Sequence, residues 1–278
     1  MLATNKNAVK PKIVLLGQKD PSAPVDLQPD EGPFESWLAV AQDMWGVGNL
    51  TPMDNVFASC AIGALAATST AIFGTVCYHL GDRLFGYSRE IGTWIDVFEC
   101  ESAVSQMQKR PKDKVKLSLW KAGGPQLGTN RFTKLAVLYA SKIPGPLPSL
   151  LRDCASGLKR GGNLIFADLV AGQSRDGASP PARFGNLELH SSAYYRDALS
   201  HAGLTLCTEY DLTADVRGSI LRGLYNSINM LVNIRVLKEP WKGQRLKAFF
   251  KELESLTALY RDIEKGNISA SGLLVVKS

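Results

Sequence analysis

Apolar residues recur with helical spacing once the chain passes its first 32 residues. The first stripe consists of Phe34, Trp37, Leu38, Ala41 and Met44. Such a stripe predicts an amphipathic helix with one face on a core. The Gly- and Pro-containing segment 46–52 interrupts the pattern, and a second helix is predicted over 53–67. Two helices therefore precede any strand.

Short runs with strand character follow. They lie at 71–77, 93–99, 114–120, 134–140, 163–170, 204–212 and 270–278. Helical patterns separate these runs, including a segment at 147–162 that is predicted to end in a glycine C-cap. This alternation predicts an α/β fold with a mostly parallel, seven-stranded sheet covered by helices on both faces.

The two ends of the chain depart from this alternation of strands and helices. Residues 1–32 are polar and rich in proline, and are predicted to be a flexible arm. Residues 33–278 are predicted to form a single domain with an N-terminal helical cap at 33–70. Two long amphipathic helices form a predicted insertion at 214–266, after which the last strand is expected to enter the sheet antiparallel.

Composition narrows the function classes. The net charge is +6, but the basic residues are dispersed, which disfavours nucleic-acid binding. The apolar segment 56–77 approaches membrane-spanning length, but it is rich in small residues and is predicted to be a buried helix and strand. The five cysteines lie far apart, which favours a cytoplasmic protein with reduced thiols and no metal site.

The segment 74–101 has the outline of a strand, a turn, a helix and a second strand that ends in an acid, Glu99. In a nucleotide-binding βαβ unit this turn is glycine-rich, because a ligand must approach the backbone closely. Here Cys77 and His79 precede Gly81. His79 is a general base or an ordinary loop histidine, and Cys77 is a nucleophile or a buried structural thiol.

Several segments together resemble a known family. These are LLRDCASGLKRGGNLIFADLV at 150–170, SSAYYRDALSHAGL at 191–204, MWGVGNLTP at 44–52 and EIGTWIDVFECES at 90–102. In their order along the chain, these segments resemble those of the class I S-adenosylmethionine-dependent methyltransferases, in the small-molecule branch that includes glycine and sarcosine methyltransferase relatives. The resemblance implies a Rossmann-like methyltransferase fold.

The same resemblance implies site residues. Glu99 matches the acid that holds the cofactor ribose, while Thr75, Cys77, His79 and Gly81 fall on the acid and the three glycines of the cofactor turn. Cofactor binding is therefore assigned to Cys77, His79, Gly81 and Glu99 in a degenerate motif. Glu99 could instead be a helix-capping or solvated acid.

Later positions also differ from the family pattern. Trp120 and Lys121 stand where an acidic or polar residue faces adenine, and strand four opens on Thr133 and Lys134 instead of Asp.

The predicted ligand crevice involves a different set of residues. Asp168 lies at the carboxyl end of the fifth strand, where open α/β sheets bind ligands. Tyr194 and Tyr195 could line a substrate pocket.

Three functions remain open. The first is a pseudoenzyme with lost or weakened S-adenosylmethionine binding that serves as a binding or scaffolding subunit, with a protein partner or as a homo-oligomer. The second is an active methyltransferase on a small metabolite or a lipid-like acceptor. The third is the same scaffold adapted to another small ligand.

Overall fold

Nine strands are present in the described part of the chain. They are β1 Phe73–Cys77, β2 Ile95–Glu99, β3 Val115–Leu119, β4 Phe132–Leu138, β5 Leu158–Ala171, β6 Arg183–Phe184, β7 Leu187–Glu188, β8 Leu204–Asp211 and β9 Ile268–Lys277. The computed structural model describes residues 33–45, 49–65, 71–78, 94–100, 115–121, 127–172, 183–184, 187–237 and 243–278.

Seven of these strands form one sheet in the order β3-β2-β1-β4-β5-β9-β8, and β6 and β7 form a separate pair. Strands β1 to β5 run parallel to one another, while β9 is antiparallel to both β5 and β8. The predicted fold class is confirmed, including the antiparallel last strand. The strand order reverses between β1 and β4, and such a switch point opens a crevice at the carboxyl ends of the strands.

The described part of the chain contains six α-helices and one 3₁₀ turn, Ala140–Lys142. The helices are α1 Pro33–Trp45, α2 Asp54–Leu65, α3 Leu147–Gly157, α4 Ser192–His201, α5 Thr213–Leu237 and α6 Gln244–Glu264. The apolar segment 56–77 thus divides between α2 and β1, as predicted. None of the helices in the described ranges is long and apolar enough to cross a bilayer.

Alternating side chains of the central strands supply two cores. On one face, Phe73 and Cys77 pack with Phe57 of α2, Ile220 of α5 and Leu256 of α6. On the other face, the core is formed with α3 and α4. Its members include Val76, Leu151, Cys154, Tyr195 and Leu199. The sheet is therefore covered on both sides, as its parallel strands require.

The prediction of one helix over 147–162 is wrong at its end. Helix α3 stops at Gly157, and β5 begins at Leu158, which pairs with Phe132. The chain becomes extended at Leu158, and a Cβ atom at Gly157 would lie 2.9 Å from the Leu127 Cβ, so glycine suits the close packing at the end of α3. The glycines assigned to the cap instead lie in β5, where Gly161 has a φ of +72°. The helical patterns that separate the first three predicted strands fall at 82–92 and 102–110, which lie outside the described residues.

Replacing Gly74 by alanine should destabilise the fold by about 1–3 kcal/mol. A Cβ at Gly74 would lie 2.7 Å from the Phe132 ring and 3.0 Å from Leu135, and all three residues belong to the centre of the sheet. Urea unfolding measures the effect. In the background of Phe132→Leu, which removes the closest ring atoms, the penalty of Gly74→Ala should shrink. Equal penalties in both backgrounds would contradict the steric cause.

Candidate functional site

The carboxyl ends of β1 and β2 bring together two of the predicted cofactor residues. Cys77 and Glu99 are direct partners in the strand register. The Cys77 thiol donates to the Glu99 Oε2 at 3.5 Å, and the Cys100 amide donates to Oε1 at 2.8 Å. Glu99 is 2% exposed and Cys77 is fully buried. Both carboxylate oxygens therefore contact protein groups.

The Cys77 thiol is not poised as a nucleophile. Burial raises its pKa well above the ordinary value, and the negative charge of Glu99 raises it further. Burial and Glu99 also raise the pKa of Cys100. A thiol must ionise to attack or to bind a metal, so these pKa shifts disfavour a nucleophilic role for the two cysteines.

Thr75 and Trp120, two further positions of the predicted cofactor site, carry no charge. Thr75 is buried, and in the described part of the structure its hydroxyl has no hydrogen-bond partner. Trp120 is buried against Phe98, with ring centroids 6.4 Å apart. The predictions for His79 and Gly81 lie outside the described residues.

Asp168 is buried, with both carboxylate oxygens bound by protein donors. It accepts from the Ser141 amide at 2.6 Å, the Ser141 hydroxyl at 2.9 Å and the Leu169 amide at 2.8 Å. The Tyr195 hydroxyl lies at 3.4 Å. Burial raises the pKa of Asp168 to about 6, although these hydrogen bonds oppose the rise. Asp168 fixes the 3₁₀ turn after β4, and its role in ligand binding stays a prediction.

Tyr194 and Tyr195 differ in their surroundings. Tyr195 is 1% exposed and packs on Phe166, with ring centroids 4.8 Å apart. Tyr194 is 41% exposed and stacks on His190 at 4.2 Å. Of the two, only Tyr194 presents a substantial surface to a ligand.

A buried network that the sequence did not predict joins α2 to the end of β4. Asp54 accepts from the Leu50 amide at 2.6 Å, the Thr51 amide at 3.1 Å and the Thr51 hydroxyl at 2.6 Å, and the Tyr139 hydroxyl donates to it as well. Burial raises the pKa of Asp54 to about 6. Tyr139 has a φ of +60°, an unfavourable conformation for a residue with a side chain. The network therefore holds a strained residue at the mouth of the crevice.

A cavity of about 220 Å³ adjoins this network, between α1, α6 and the 3₁₀ turn. Lys142 and Glu252 line it together with Trp37, Thr51 and apolar residues such as Met53. Burial lowers the pKa of Lys142, while Asp54, Asp168 and Glu252 oppose the shift. The Lys142 ammonium lies 5.1 Å from the centre of the Tyr139 ring.

Glu252 completes the polar part of this cavity. Burial raises its pKa, and a hydrogen bond from the Trp37 indole opposes that rise. Among the described residues, no ion pair joins Lys142 to Glu252. The cavity thus presents an amine and a carboxylate to the same small space, where each could bind a polar group of a ligand.

The cavity continues toward the surface as a groove of about 500 Å³. Trp37, Glu252 and Ser255 line both parts, and Lys247 and Lys251 line only the outer part. Of the residues that line this groove, Trp37 belongs to the predicted apolar stripe of α1 and the others belong to α6. No sequence signal joins Trp37 to Lys142 and Glu252, because the three are distant along the chain.

Comparison by sequence gives no relative: the chain matches no family model and no curated protein. Comparison by structure gives many chains of similar fold, and several of them are methyltransferases. Phosphoethanolamine N-methyltransferase 2 of Haemonchus contortus, in complex with phosphomonomethylethanolamine and S-adenosylhomocysteine, superposes with a TM-score of 0.69 at 10% identity. The match covers 90% of this chain, which spans only 59% of the nematode enzyme's chain.

Two further structures have similar folds. A putative sarcosine dimethylglycine methyltransferase from Galdieria sulphuraria has a TM-score of 0.66 at 14% identity, covering 88% of this chain and 98% of its own. Geranyl diphosphate C-methyltransferase from Streptomyces coelicolor, in complex with Mg²⁺, geranyl diphosphate and S-adenosylhomocysteine, has a TM-score of 0.57 at 15% identity. That match covers 81% of this chain and 77% of the enzyme.

Proposed function

Because the chain has the fold of the class I S-adenosylmethionine-dependent methyltransferases, we propose that it is a methyltransferase-like protein with weakened cofactor binding. It serves as a binding or scaffolding subunit in the cytoplasm. The contact between Cys77 and Glu99 carries this proposal. A ribose would have to reach this carboxylate, whereas Glu99 is 2% exposed and each of its oxygens already accepts a hydrogen bond, from a thiol and from an amide.

The surroundings of Glu99 support the same function. The sulfur of Cys77 occupies volume that glycine would leave open. Thr75, at the position of the family's acid, gives no charge to attract a cationic sulfonium. The residues present therefore fit S-adenosylmethionine poorly.

The second candidate is an active methyltransferase on a small metabolite or a lipid-like acceptor. The cavity at the end of β4 favours it, because Lys142 could bind an acidic oxygen of an acceptor and Glu252 an amine or a hydroxyl. The groove beyond it leaves room for a longer molecule.

Calorimetry with S-adenosylmethionine distinguishes the two candidates. We expect the wild-type protein to show no saturable heat and no thermal shift up to about 1 mM ligand, which corresponds to a binding free energy weaker than about −4 kcal/mol. A submillimolar Kd that Glu99→Ala abolishes would reject the first candidate, whereas the expected absence of heat and of a thermal shift would reject the second.

Two substitutions at Cys77 test the cause of weak binding. Cys77→Gly should increase the affinity for S-adenosylmethionine, because it removes the thiol that contacts Glu99 and opens the turn. Cys77→Ser is the matched control, since it keeps a side chain of similar size and should gain nothing. Equal affinities for the two variants would show that the thiol is not the obstacle.

A further inference from the structure

Helix α5 exposes an apolar stripe to solvent. Its members are Leu221, Tyr225, Ile228 and Val232, with exposed fractions of 46%, 65%, 59% and 51%. They are spaced by four, three and four residues, which places them on one side of the helix. A stripe of this spacing is the pattern by which one helix packs along another.

Two glycines of α5 differ in what surrounds them. At Gly223 a Cβ atom would lie 1.9 Å from the Trp45 ring, so packing within the chain requires glycine there. At Gly218 a Cβ would meet nothing within 4 Å. Glycine inside a helix costs about 0.5–1 kcal/mol relative to alanine, and nothing in the described part of the chain requires it at Gly218. Gly218 is half-buried and lies in the N-terminal part of α5, one turn before Leu221, where it would permit the close approach of another backbone.

Opposite charges flank Gly218 on one side. Asp215 and Arg222 are both exposed and both line a cavity of about 560 Å³ between α2, β8 and α5. In the ranges that the structure describes, neither side chain forms an ion pair. Seven residues separate them, or about 10 Å along the helix, so they do not reach each other.

We propose that α5 packs antiparallel against α5 of a second copy of this chain, about a two-fold axis beside Gly218. An axis between residues 218 and 219 places Asp215 of each copy opposite Arg222 of the other. The two charges lie on the same side of the helix, as this symmetry requires. One contact therefore provides two ion pairs, and the exposed charges complement a second copy of the same surface.

The same axis aligns an exposed ring with a cavity. Position 225 of one copy falls opposite position 212 of the other, and Leu212 and Tyr210 line the cavity beside Asp215. The side chain of Tyr225, the most exposed of the stripe, would enter that cavity in the partner. The two copies of α5 overlap over residues 213–224, which includes Leu221, whereas Ile228 and Val232 lie beyond the overlap. Charge and shape thus agree on one occupant, and this occupant does not depend on S-adenosylmethionine binding.

Sedimentation across a concentration series tests the proposal on the full chain. We expect the wild type to approach twice its mass of 30.2 kDa. Asp215→Arg or Arg222→Asp should each weaken dimerisation at least about tenfold, because each creates two like-charge contacts. The double variant, Asp215→Arg with Arg222→Asp, should restore the dimer. The matched control is Glu254→Arg, an equal charge change at an exposed site on α6.

The double variant also excludes a local effect. Asp215 lies in the first turn of α5, where an acid stabilises the helix. The double variant lacks that acid, so its recovery must come from the contact between copies. A wild type that is monomeric at every concentration, or one that binds only a different protein, overturns the proposal. So does a double variant that stays monomeric.

Cross-linking gives a second readout. Gly218→Cys, in a Cys207→Ser background that removes an exposed thiol, should form a disulfide between copies under mild oxidation. Glu254→Cys in the same background should not. Far-UV circular dichroism checks that both variants fold. Equal cross-linking of the two variants, or none in a folded Gly218→Cys, overturns the proposed axis.

Discussion

Replacing Asp54 by alanine is expected to lower the free energy of unfolding at neutral pH by about 3 kcal/mol. The substitution leaves the buried amides of Leu50 and Thr51 without the acceptor that now binds them at 2.6 Å and 3.1 Å. The hydroxyls of Thr51 and Tyr139 lie 2.7 Å apart and can still bond to each other, which limits the loss. Equilibrium urea unfolding measures the change.

Asparagine at position 54 is the matched control. Its carbonyl oxygen can accept from the two amides, and its NH₂ group can donate to the hydroxyls of Thr51 and Tyr139, which also act as acceptors. Asp54→Asn should therefore cost far less than Asp54→Ala, and Tyr139→Phe about 1 kcal/mol. Equal losses for the two changes at Asp54 would show that the side-chain volume matters and the hydrogen bonds do not.

At Asp168 the change to asparagine should destabilise the fold more than it does at Asp54. Each oxygen of Asp168 accepts from a backbone amide, Oδ2 from Ser141 and Oδ1 from Leu169, so an asparagine NH₂ would face a donor in either orientation. The two aspartates thus resemble each other in burial and in pKa. They differ in their neighbours: those of Asp54 can all hydrogen-bond to asparagine, whereas one amide beside Asp168 would face the asparagine NH₂ group. Both hold backbone that frames the cavity of Lys142.

The sheet and the meeting of Cys77 with Glu99 were predictable for a simple reason. Parallel strands end at the same edge, so residues that close two neighbouring strands must lie side by side. Strand patterns fix those ends to within a residue or two, and Cys77 and Glu99 close β1 and β2. The antiparallel last strand was also predictable, because a helical insertion precedes it.

The direction and partners of individual side chains were not predictable. Asp54 and Tyr139 lie 85 residues apart, and neither periodicity nor spacing joins them. The sequence placed Asp168 at a strand end, but gave no sign that the turn at Ser141 donates to its carboxylate. Hydrogen bonding of this kind depends on backbone geometry after β4, which the hydrophobic pattern does not encode.

The pH dependence of stability should reveal the buried carboxyl of Asp54. Its pKa rises from 3.8 to about 6 on folding, chiefly through burial, so the folded chain binds this proton more tightly than the unfolded chain. The contribution to stability is therefore fully present below about pH 3.8 and is lost as the pH rises through 6. A rise of this size corresponds to about 3 kcal/mol.

Comparison of the wild type with Asp54→Asn reports chiefly this contribution, because the variant removes only the Asp54 carboxyl and keeps every other titrating group, Asp168 included. Between pH 4 and pH 7 the difference in unfolding free energy, variant minus wild type, should increase by up to about 3 kcal/mol. Urea titrations at half-unit pH steps measure the difference. Asp197→Asn removes an exposed carboxyl from α4 and should run parallel to the wild type. If the pH profile of Asp54→Asn also runs parallel to that of the wild type, the Asp54 carboxyl titrates alike in the folded and unfolded states, and the network around Tyr139 does not bury a charge.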